Sequence, residues 1–366
     1  MQKTLLILIV LALVGYSAFF FFKSVKQQVK KDLASPISYP TATIVPSIPK
    51  SAVIKTKEKN SLFVPYWGLK DKITEATYDQ YLYFGVAPTK SGLDFKEAGT
   101  VALNRFASLV PNNSKKLLVI RMIDSDTNFA VLKDVSKQKT IISQAITVAQ
   151  DNGFDGLVLD LEVSAIPFES LVNQINGFTK LFYSETKKKK LSFAVTVYGD
   201  VFYRVRPFDV KTLANNSDQI MIMAYDFSKA KGNPGPNFPL HGAQSYGYDY
   251  EKMIDDFLRV VPAKKITVVF GMFGYDWLVD NKGRTLEQGK AVALHEVQSN
   301  FIEACQQKSC SFSRDDAAFE TRVDYVHKNG SKHIIWFEDS ESVAAKKNYL
   351  KQRGINSFSF WAYSYF

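Results

Sequence analysis

Hydrophobic residues fall in short runs along most of the chain, and longer amphipathic segments separate these runs. Runs rich in β-branched and aromatic residues predict eight strands. The predicted strands are Leu62–Trp67, Tyr81–Ala87, Lys116–Met122, Gly156–Glu162, Ser192–Tyr198, Gln219–Ala224, Ile266–Phe273 and Ser357–Tyr363. Helical patterns such as Lys137–Asp151 and Pro167–Lys187 lie between most of them. Strands that alternate with helices predict an α/β fold, a (β/α)8 barrel of the TIM type.

The segment between the last two predicted strands is too long for one helix. It contains RVDYVH, then Lys328-Asn329-Gly330-Ser331, then KHIIWFE. Asn-Gly between two alternating runs is typical of a β-hairpin. We therefore expect a small α+β insertion between strands 7 and 8, over about residues 278–340.

The N-terminal part of the chain has a different pattern. Residues 5–22 form an uncharged apolar run of 18 residues between Lys3 and Lys23, which is about the minimum length of a transmembrane helix. A cleavable signal peptide is the alternative, but small residues before a cleavage site are represented only loosely, by Gly15 and Ser17. We therefore expect an uncleaved anchor in the cell membrane.

The orientation of this anchor is less clear from the charges. More lysines follow the apolar run than precede it, which by the positive-inside rule would place the folded domain in the cytoplasm. We expect the extracellular orientation instead, because the substrate predicted below lies outside the cell.

Composition divides the chain into three regions. Residues 1–31 hold the anchor with its basic flank, and residues 32–60 are a Pro-, Ser-, Thr- and Lys-rich linker. Residues 61–366 form the folded domain. The net charge is +7 over residues 1–60 and only +3 over the other 306 residues. A folded domain so close to neutral gives no support to nucleic-acid binding, which needs a basic patch.

Cysteine and histidine do not form a metal-binding pattern. Cys305 and Cys310 are separated by four residues, and either a short-range disulfide or two free thiols is compatible with the sequence. The four histidines are scattered, so we interpret them as structural or surface residues. No metal and no organic cofactor is expected.

Residues 153–162, GFDGLVLDLE, carry the most informative chemistry. Side chains alternate along a strand, so the three leucines share one face, while Val158, Asp160 and Glu162 share the other. In a barrel the second face points inward, where carboxylates are costly unless they are used or paired. Both acids stand at the C-terminal end of the strand, where barrel enzymes have their active sites. An exposed strand end that pairs with lysine or caps the next helix is the alternative.

At these residues the chain resembles glycoside hydrolase family 18, whose strand-four motif is DGxDxDxE. The sequence here is DGLVLDLE. Three further segments resemble family motifs in the family's order: Met223-Ala224-Tyr225-Asp226, the 271–277 segment GMFGYDW, and Trp361 on strand eight. Within the family, GYDW, the hairpin, WFED and FSFW resemble the bacterial branch that acts on cell wall and spore cortex, including N-acetylglucosaminidases.

The resemblance implies a retaining hydrolase of β-linked N-acetylhexosamine polysaccharides or oligosaccharides that uses the substrate's own acetamide as nucleophile. Glu162 would be the general acid, Asp160 would orient the acetamide, and Tyr225 would hydrogen-bond the acetamide carbonyl. Asp226 would contact sugar hydroxyls or the acid, and Trp361 would lie beneath the reacting sugar. Tyr225 and Trp361 as ordinary core aromatics are the alternative.

Five other residues receive a role. Met223, in the same motif as Tyr225, is expected at the substrate site, and Tyr66 and Trp67 are expected either to line the groove or to fill the barrel. Asp155 and Gly156 open the strand, and Asp155 is expected to stabilise the turn entering it rather than to touch sugar.

One position departs from the family motif. Val158 stands where the family has its middle aspartate. Because that neighbour is lost, we expect Asp160 to stay ionised and to raise the pKa of Glu162.

Three other functions remain open. A lectin-like, non-catalytic carbohydrate-binding barrel is the first, and Val158 favours it while Glu162 opposes it. An anchored scaffold protein is the second. A glycosidase with a direct carboxylate nucleophile is the third, but no second acid outside the Asp160/Glu162 pair is marked. The sequence does not separate chitin from peptidoglycan glycan or endo from exo action.

Overall fold

The structure is a computed structural model, and it describes residues 57–70, 73, 78–111 and 113–366. The predicted membrane anchor at 5–22 and nearly all of the predicted linker lie outside the described residues. Within the described part of the chain, no helix has the length and apolar character that crossing a membrane requires.

Eight parallel strands form a closed barrel, as predicted. In chain order they are β1 Lys59–Pro65, β2 Gln80–Val86, β3 Lys115–Met122, β4 Gly156–Leu161, β5 Ser192–Tyr198, β6 Gln219–Met223, β7 Ile266–Gly271 and β8 Ser357–Trp361. Each strand pairs with its neighbours in sequence, and β8 closes the barrel on β1. β1 begins two residues before the predicted domain start, because Lys59 and Asn60 pair with Ser357 and Phe358.

Helices and short segments surround the barrel. The α-helices are Ala98–Val101, Leu103–Leu109, Ser125–Leu132, Val135–Asp151, Glu169–Lys188, Val210–Asn215, Ala243–Tyr246, Tyr250–Leu258, Leu294–Val297 and Ser340–Gln352. Tyr66–Gly68 and Ala263–Lys265 are 3-10 turns, Gln298–Ile302 is a π-helix, and Pro88–Thr89 pairs with Gly92–Leu93. The two helices predicted by pattern are therefore present. Aspartate starts several helices, as where Asp134 accepts the N–H groups of Ser136 and Lys137.

The two faces of β4 pack as the alternation predicts. Leu157, Leu159 and Leu161 belong to the large core between strands and helices. Val158 belongs instead to the apolar plug that fills the barrel interior, together with the inward side chains of the other strands. The plug consists of Phe63, Leu82, Phe84, Leu117, Val119, Val158, Ala194, Met221, Val269 and Ala362.

The chain between β7 and β8 forms a five-stranded antiparallel sheet. In spatial order its strands are Lys290–Ala293, Phe273–Val279, Lys332–Phe337, Thr321–Val326 and Ser309–Arg314. The hairpin predicted at Asn329-Gly330 joins two of them, with Gly330 in the left-handed region. Cys305 and Cys310 form a disulfide at one edge of this sheet.

The predicted end of strand seven was wrong by two residues. β7 ends at Gly271, and Phe273 already belongs to the inserted sheet. The chain turns there because Met272 donates its N–H to Trp361 O at 2.7 Å, after which Gly274 pairs with Phe337. A Cβ on Gly274 would lie 1.9 Å from Trp336 O, so only glycine allows this close pairing.

A buried ion network joins the inserted sheet to the barrel. Lys346 Nζ lies 2.6 Å from both Glu320 and Glu338, and all three side chains are fully buried. Glu320 also accepts the N–H groups of Asn237 and Phe238, at 2.5 and 2.8 Å, in the loop that follows β6. The network therefore ties the insert, the C-terminal helix Ser340–Gln352 and the β6 loop to one another.

We expect Lys346→Met to lower the free energy of unfolding by about 3–5 kcal/mol, because two buried carboxylates would lose the cation that they share. Denaturant unfolding near neutral pH measures this loss. Lys351→Met in the same helix is the matched control, since Lys351 pairs with Glu58 near the surface and its loss should cost less than about 1 kcal/mol. Equal losses in the two variants would contradict the assigned importance of the network.

Candidate active site

Two carboxyl groups project inward at the C-terminal end of β4. Asp160 is only 3% exposed, and Glu162 follows directly after the strand. The backbone of Glu162 is fixed on both sides, because its N–H donates to Met122 O and its C=O accepts from the Asn128 side chain, both at 2.9 Å. The predicted i,i+2 pair therefore stands at the mouth of the barrel on a rigid support.

β5 supplies a hydrogen-bond donor to each carboxyl. Thr196 donates its hydroxyl to Asp160 at 2.5 Å, and Tyr198 donates to Glu162 at 3.1 Å. Because side chains two apart on a strand point the same way, the donor pair on β5 matches the acid pair on β4. Tyr198 was not predicted as a site residue, since nothing in SFAVTVY distinguishes it from a core tyrosine.

Burial raises the pKa of both acids. The pKa of Asp160 rises to about 7, first because the group is buried and second because the charge of Glu162 lies close by, against the lowering effects of Thr196 and Arg121. The pKa of Glu162 is raised by burial and by the charge of Asp226, while the Tyr198 hydrogen bond opposes the rise. A carboxylic acid with a raised pKa retains a proton that it can donate near neutral pH.

The expectation that Asp160 stays ionised did not include the rise in its pKa that burial causes. It rested on the loss of an acidic neighbour at Val158, but the valine also makes the floor beneath Asp160 apolar. Removal of water therefore outweighs the lost like-charge neighbour, and the pKa of Asp160 rises.

Tyr225 and Asp226 follow β6 at the same end of the barrel. Tyr225 packs edge-on against Phe273, with ring centroids 5.8 Å apart, and burial raises the pKa of its hydroxyl well above the ordinary value. Asp226 has a positive φ of 59° and accepts a hydrogen bond from Tyr275 at 2.7 Å. Met223, the last residue of β6, is 8% exposed and lines the same cleft.

Asn237 holds this left-handed turn in place. Its side-chain oxygen accepts the N–H of Asp226 at 2.8 Å, and its amide donates to Gly271 O and Phe273 O at 3.1 Å. Its own N–H binds Glu320 of the buried network. The sequence analysis missed Asn237 because it lies 11 residues beyond Asp226 in an irregular loop, whereas Tyr275 was visible in the GYDW motif.

Aromatic side chains form the wall of the barrel mouth that lies opposite β4, where β8, β1 and β2 end. Trp361 packs against Phe84 and Phe63, with centroids 4.7 and 5.5 Å away, and lies 6.3 Å from Trp67, which is 47% exposed. Tyr66 is half-buried behind Trp67, at 5.1 Å. The structure therefore brings Trp361 and Trp67 to a partly open aromatic surface and gives Tyr66 a supporting position.

Arg121 of β3 lies between this wall and the acids. Its guanidinium is 5.3 Å from the centre of the Tyr66 ring, and it pairs with Glu97. Its charge favours ionisation of Asp160, its register partner on β4. The sequence analysis did not mark either residue, since their pairing joins segments 24 residues apart.

A cleft of about 160 Å³ opens beside Glu162. Its lining residues are Glu162, Ser164, Tyr198, Gly199, Asp200, Arg206, Met223, Tyr225, Asp226 and Lys229. Four of the predicted site residues, Glu162, Met223, Tyr225 and Asp226, therefore share one cavity. Arg206 stacks over the Tyr198 ring at 3.8 Å and binds Asp200 through two nitrogens, and the sequence analysis missed this pair.

Asp155 and Gly156 lie at the other end of β4, away from the cleft. Asp155 accepts the N–H of Lys116 at 2.8 Å, which fixes the entrance to β3 and β4. A Cβ on Gly156 would meet Ser192 Oγ at 2.0 Å and Ser192 O at 2.6 Å, so close strand packing requires glycine. Both residues therefore support the strand backbone at the end away from the cleft. Among the residues that the structure describes, no cluster of His, Cys, Asp or Glu could hold a metal ion.

We expect Asp160→Asn to stabilise the protein at alkaline pH. A carboxyl with a folded pKa of about 7 and an unfolded pKa of about 4 binds its proton more tightly in the native state, so stability falls as pH rises between these values. Asparagine carries no charge, so the variant should be more stable by roughly 2–4 kcal/mol above pH 7 and no more stable near pH 4. Denaturant unfolding at the two pH values measures this, and a pH-independent difference would contradict the assigned burial cost.

The amino-acid sequence is similar to those of two Bacillus enzymes. The chain is 25% identical over 308 residues to the Cortical fragment-lytic enzyme of Bacillus anthracis, over 80% of this chain and 68% of that protein. It is 26% identical over 254 residues to the Cortical fragment-lytic enzyme of Bacillus cereus, over 67% of this chain but only 56% of that protein.

Solved structures share the barrel. A mutant of Class V Chitinase from Nicotiana tobaccum, in complex with NAG4, superimposes with a TM-score of 0.72 at 18% identity, over 84% of this chain and 94% of that chain. The sequence profile of the Glycosyl hydrolases family 18 matches residues 54–365. The chain therefore belongs to glycosyl hydrolases family 18 and is a glycosidase.

Proposed function

We propose that the barrel hydrolyses β-linked N-acetylhexosamine glycans with retention of configuration, with Glu162 as the general acid. The observation that carries this proposal is the pair of inward carboxyls on β4, held by Thr196 and Tyr198 at an open cleft. The raised pKa of Glu162 supports a group that is protonated before reaction and gives its proton to the leaving oxygen.

The substrate's acetamide replaces an enzyme nucleophile in this proposal, an arrangement outside the usual scheme of two carboxylates. Asp160 accepts the acetamide N–H and balances the positive charge that develops on the ring formed by the acetamide. Its pKa of about 7 lets it become ionised as that charge appears. In a site with little water, such an interaction stabilises the transition state strongly.

Tyr225 donates its hydroxyl to the acetamide carbonyl. Its strongly raised pKa supports this role, since the hydroxyl keeps its proton beside the two acids. Asp226 is anchored by Asn237 and Tyr275 and contacts a sugar hydroxyl or Glu162. The charge of Asp226 raises the pKa of Glu162.

The aromatic wall binds the sugar whose linkage is cleaved. Trp361 supplies the apolar floor, Trp67 extends it toward solvent, and Tyr66 supports Trp67 from behind. β8 and β4 lie on opposite sides of the barrel, so a sugar on Trp361 would face Glu162 and Asp160. Met223 closes the cleft between them.

Two substrate classes fit this site. The names of the relatives point to spore-cortex fragments for the Bacillus enzymes and to chitin for the plant enzyme, whose mutant was bound to NAG4. Both are N-acetylhexosamine glycans. We further propose that the barrel acts outside the cell, tethered through the apolar run at 5–22, which cell fractionation and external protease treatment would test.

We expect Glu162→Gln to reduce hydrolysis of a fluorogenic N-acetylglucosamine oligomer by at least about 10²-fold, because general acid catalysis contributes roughly 10²–10⁴-fold. Initial rates of the full-length chain and the variant measure this. Glu185→Gln on the surface, where Glu185 pairs with Lys188, is the matched control and should retain full activity.

A wild-type rate no faster than that of Glu162→Gln would contradict catalysis. If both proteins then gain thermal stability on adding the oligomer, the carbohydrate-binding alternative, favoured by Val158, replaces the hydrolase, since a ligand of the native state must stabilise it.

We expect Tyr198→Phe to move the alkaline limb of the kcat/KM profile to higher pH by about one unit. The Tyr198 hydroxyl stabilises the ionised form of Glu162, so its removal raises the pKa of Glu162 further and keeps the acid protonated to higher pH. Tyr183→Phe is the control, because that hydroxyl binds Asp218 away from the cleft. A shift to lower pH would contradict the role of Glu162 as the acid.

A further inference from the structure

The cleft beside Glu162 contains a cation that the mechanism does not use. Lys229 lines the cleft three residues after Asp226, and its side chain is exposed at the rim. Within the part of the chain that the structure describes, Lys229 Nζ has no hydrogen bond and no ion pair. Neutral sugars offer only hydroxyl and amide groups, so binding them does not require an ammonium group at this place.

The neighbouring cations are already engaged. Arg206 binds both oxygens of Asp200, at 2.8 and 2.9 Å, and stacks on Tyr198. Arg204 pairs with the same carboxylate and donates to Phe227 O at 2.8 Å. Two arginines therefore share one aspartate, which leaves this wall of the cleft with excess positive charge and Lys229 as its free donor.

The acids that face Lys229 do not neutralise it directly. Asp226 accepts from Tyr275, and Glu162 accepts from Tyr198. Burial raises the pKa of both carboxyls, which reduces the negative charge they carry at a given pH. Loss of water and the charge of Arg206 lower the pKa of Lys229, whereas the charges of Asp200 and Asp226 raise it. A bound anion would raise the pKa of Lys229 again.

We propose that Lys229 binds a carboxylate carried by the glycan beside the scissile linkage, such as the 3-O-lactyl carboxylate of a muramic-type sugar. The inference rests on the proposed hydrolase function and narrows its substrate class to acidic N-acetylhexosamine glycans. Covering Lys229 with a neutral sugar removes water from a charge without compensation, whereas a carboxylate supplies the opposite charge. The cation beside the aromatic wall, Arg121, is already paired with Glu97, so this wall takes the neutral sugar.

The test uses the full-length chain and three oligosaccharides that differ only at the sugar beside the scissile linkage. That sugar carries the lactyl group as a free carboxylate, as its primary amide, or as its amide with alanine, which moves the carboxylate outward. We expect wild type to prefer the free carboxylate over the primary amide by about fivefold in kcat/KM. The preference should be smaller at about 0.5 M salt than at about 0.05 M salt, because salt screens an exposed ion pair.

Variants assign the preference to one side chain. In Lys229→Met the ratio of kcat/KM for carboxylate and amide should fall to about 1, while Lys229→Arg should keep most of it. Lys231→Met removes the same charge two residues away, outside the cleft lining, and should keep the wild-type ratio. A wild-type ratio near 1, or one that Lys229→Met leaves unchanged, would overturn the inference. A preference for the alanine amide alone leaves the ratio of free carboxylate to primary amide near 1, and it therefore also overturns the inference.

The same experiment separates this inference from the proposed function. Hydrolysis of all three compounds at equal rates sustains the hydrolase and rejects carboxylate recognition. If no compound is hydrolysed, dissociation constants are compared in place of kcat/KM. Tighter binding of the free carboxylate that is lost in Lys229→Met then supports the inference, while the proposed hydrolase function fails. Absence of both hydrolysis and binding rejects both.

Discussion

The site depends on the cost of burying two carboxyl groups at the end of one barrel strand. Asp160 is almost inaccessible to water and stands above an apolar plug, so the protein holds it at the expense of stability when it is ionised. The same desolvation raises the pKa of Glu162, which is the property that the proposed general acid requires. The burial of these two carboxyls therefore affects both the stability of the fold and the acidity of the site. Such a combination is common in enzymes whose charged groups are preorganised before the substrate binds.

The insert between β7 and β8 contributes to the site as well as to the fold. Lys346 neutralises Glu320 and Glu338, and Glu320 in turn holds the backbone of Asn237. Asn237 fixes the left-handed turn at Asp226, and Tyr275 of the inserted sheet binds the carboxylate of that residue. A chain of direct hydrogen bonds thus connects a fully buried ion network to a residue in the cleft, which explains how a sheet outside the barrel can set the geometry inside its mouth.

The two walls of the barrel mouth differ in chemistry. Aromatic rings around Trp361 form one wall, while Arg206, Asp200 and Lys229 form a charged wall beyond Glu162. A glycan that crosses from one to the other meets an apolar surface, then the acids, then a positive rim. This gradient is the physical basis of the proposed discrimination between neutral and acidic glycans.

The sequence by itself determined the barrel, the hairpin at Asn329-Gly330 and the inward direction of Asp160 and Glu162, because strand periodicity and turn chemistry are local properties. It also marked Tyr225, Asp226 and Trp361 through their motifs. Only the tertiary structure decided the raised pKa of Asp160, the donors Thr196 and Tyr198, and the anchoring of Asp226 by Asn237. These depend on burial and on contacts between segments distant in the chain, and no local pattern encodes the removal of water from a side chain.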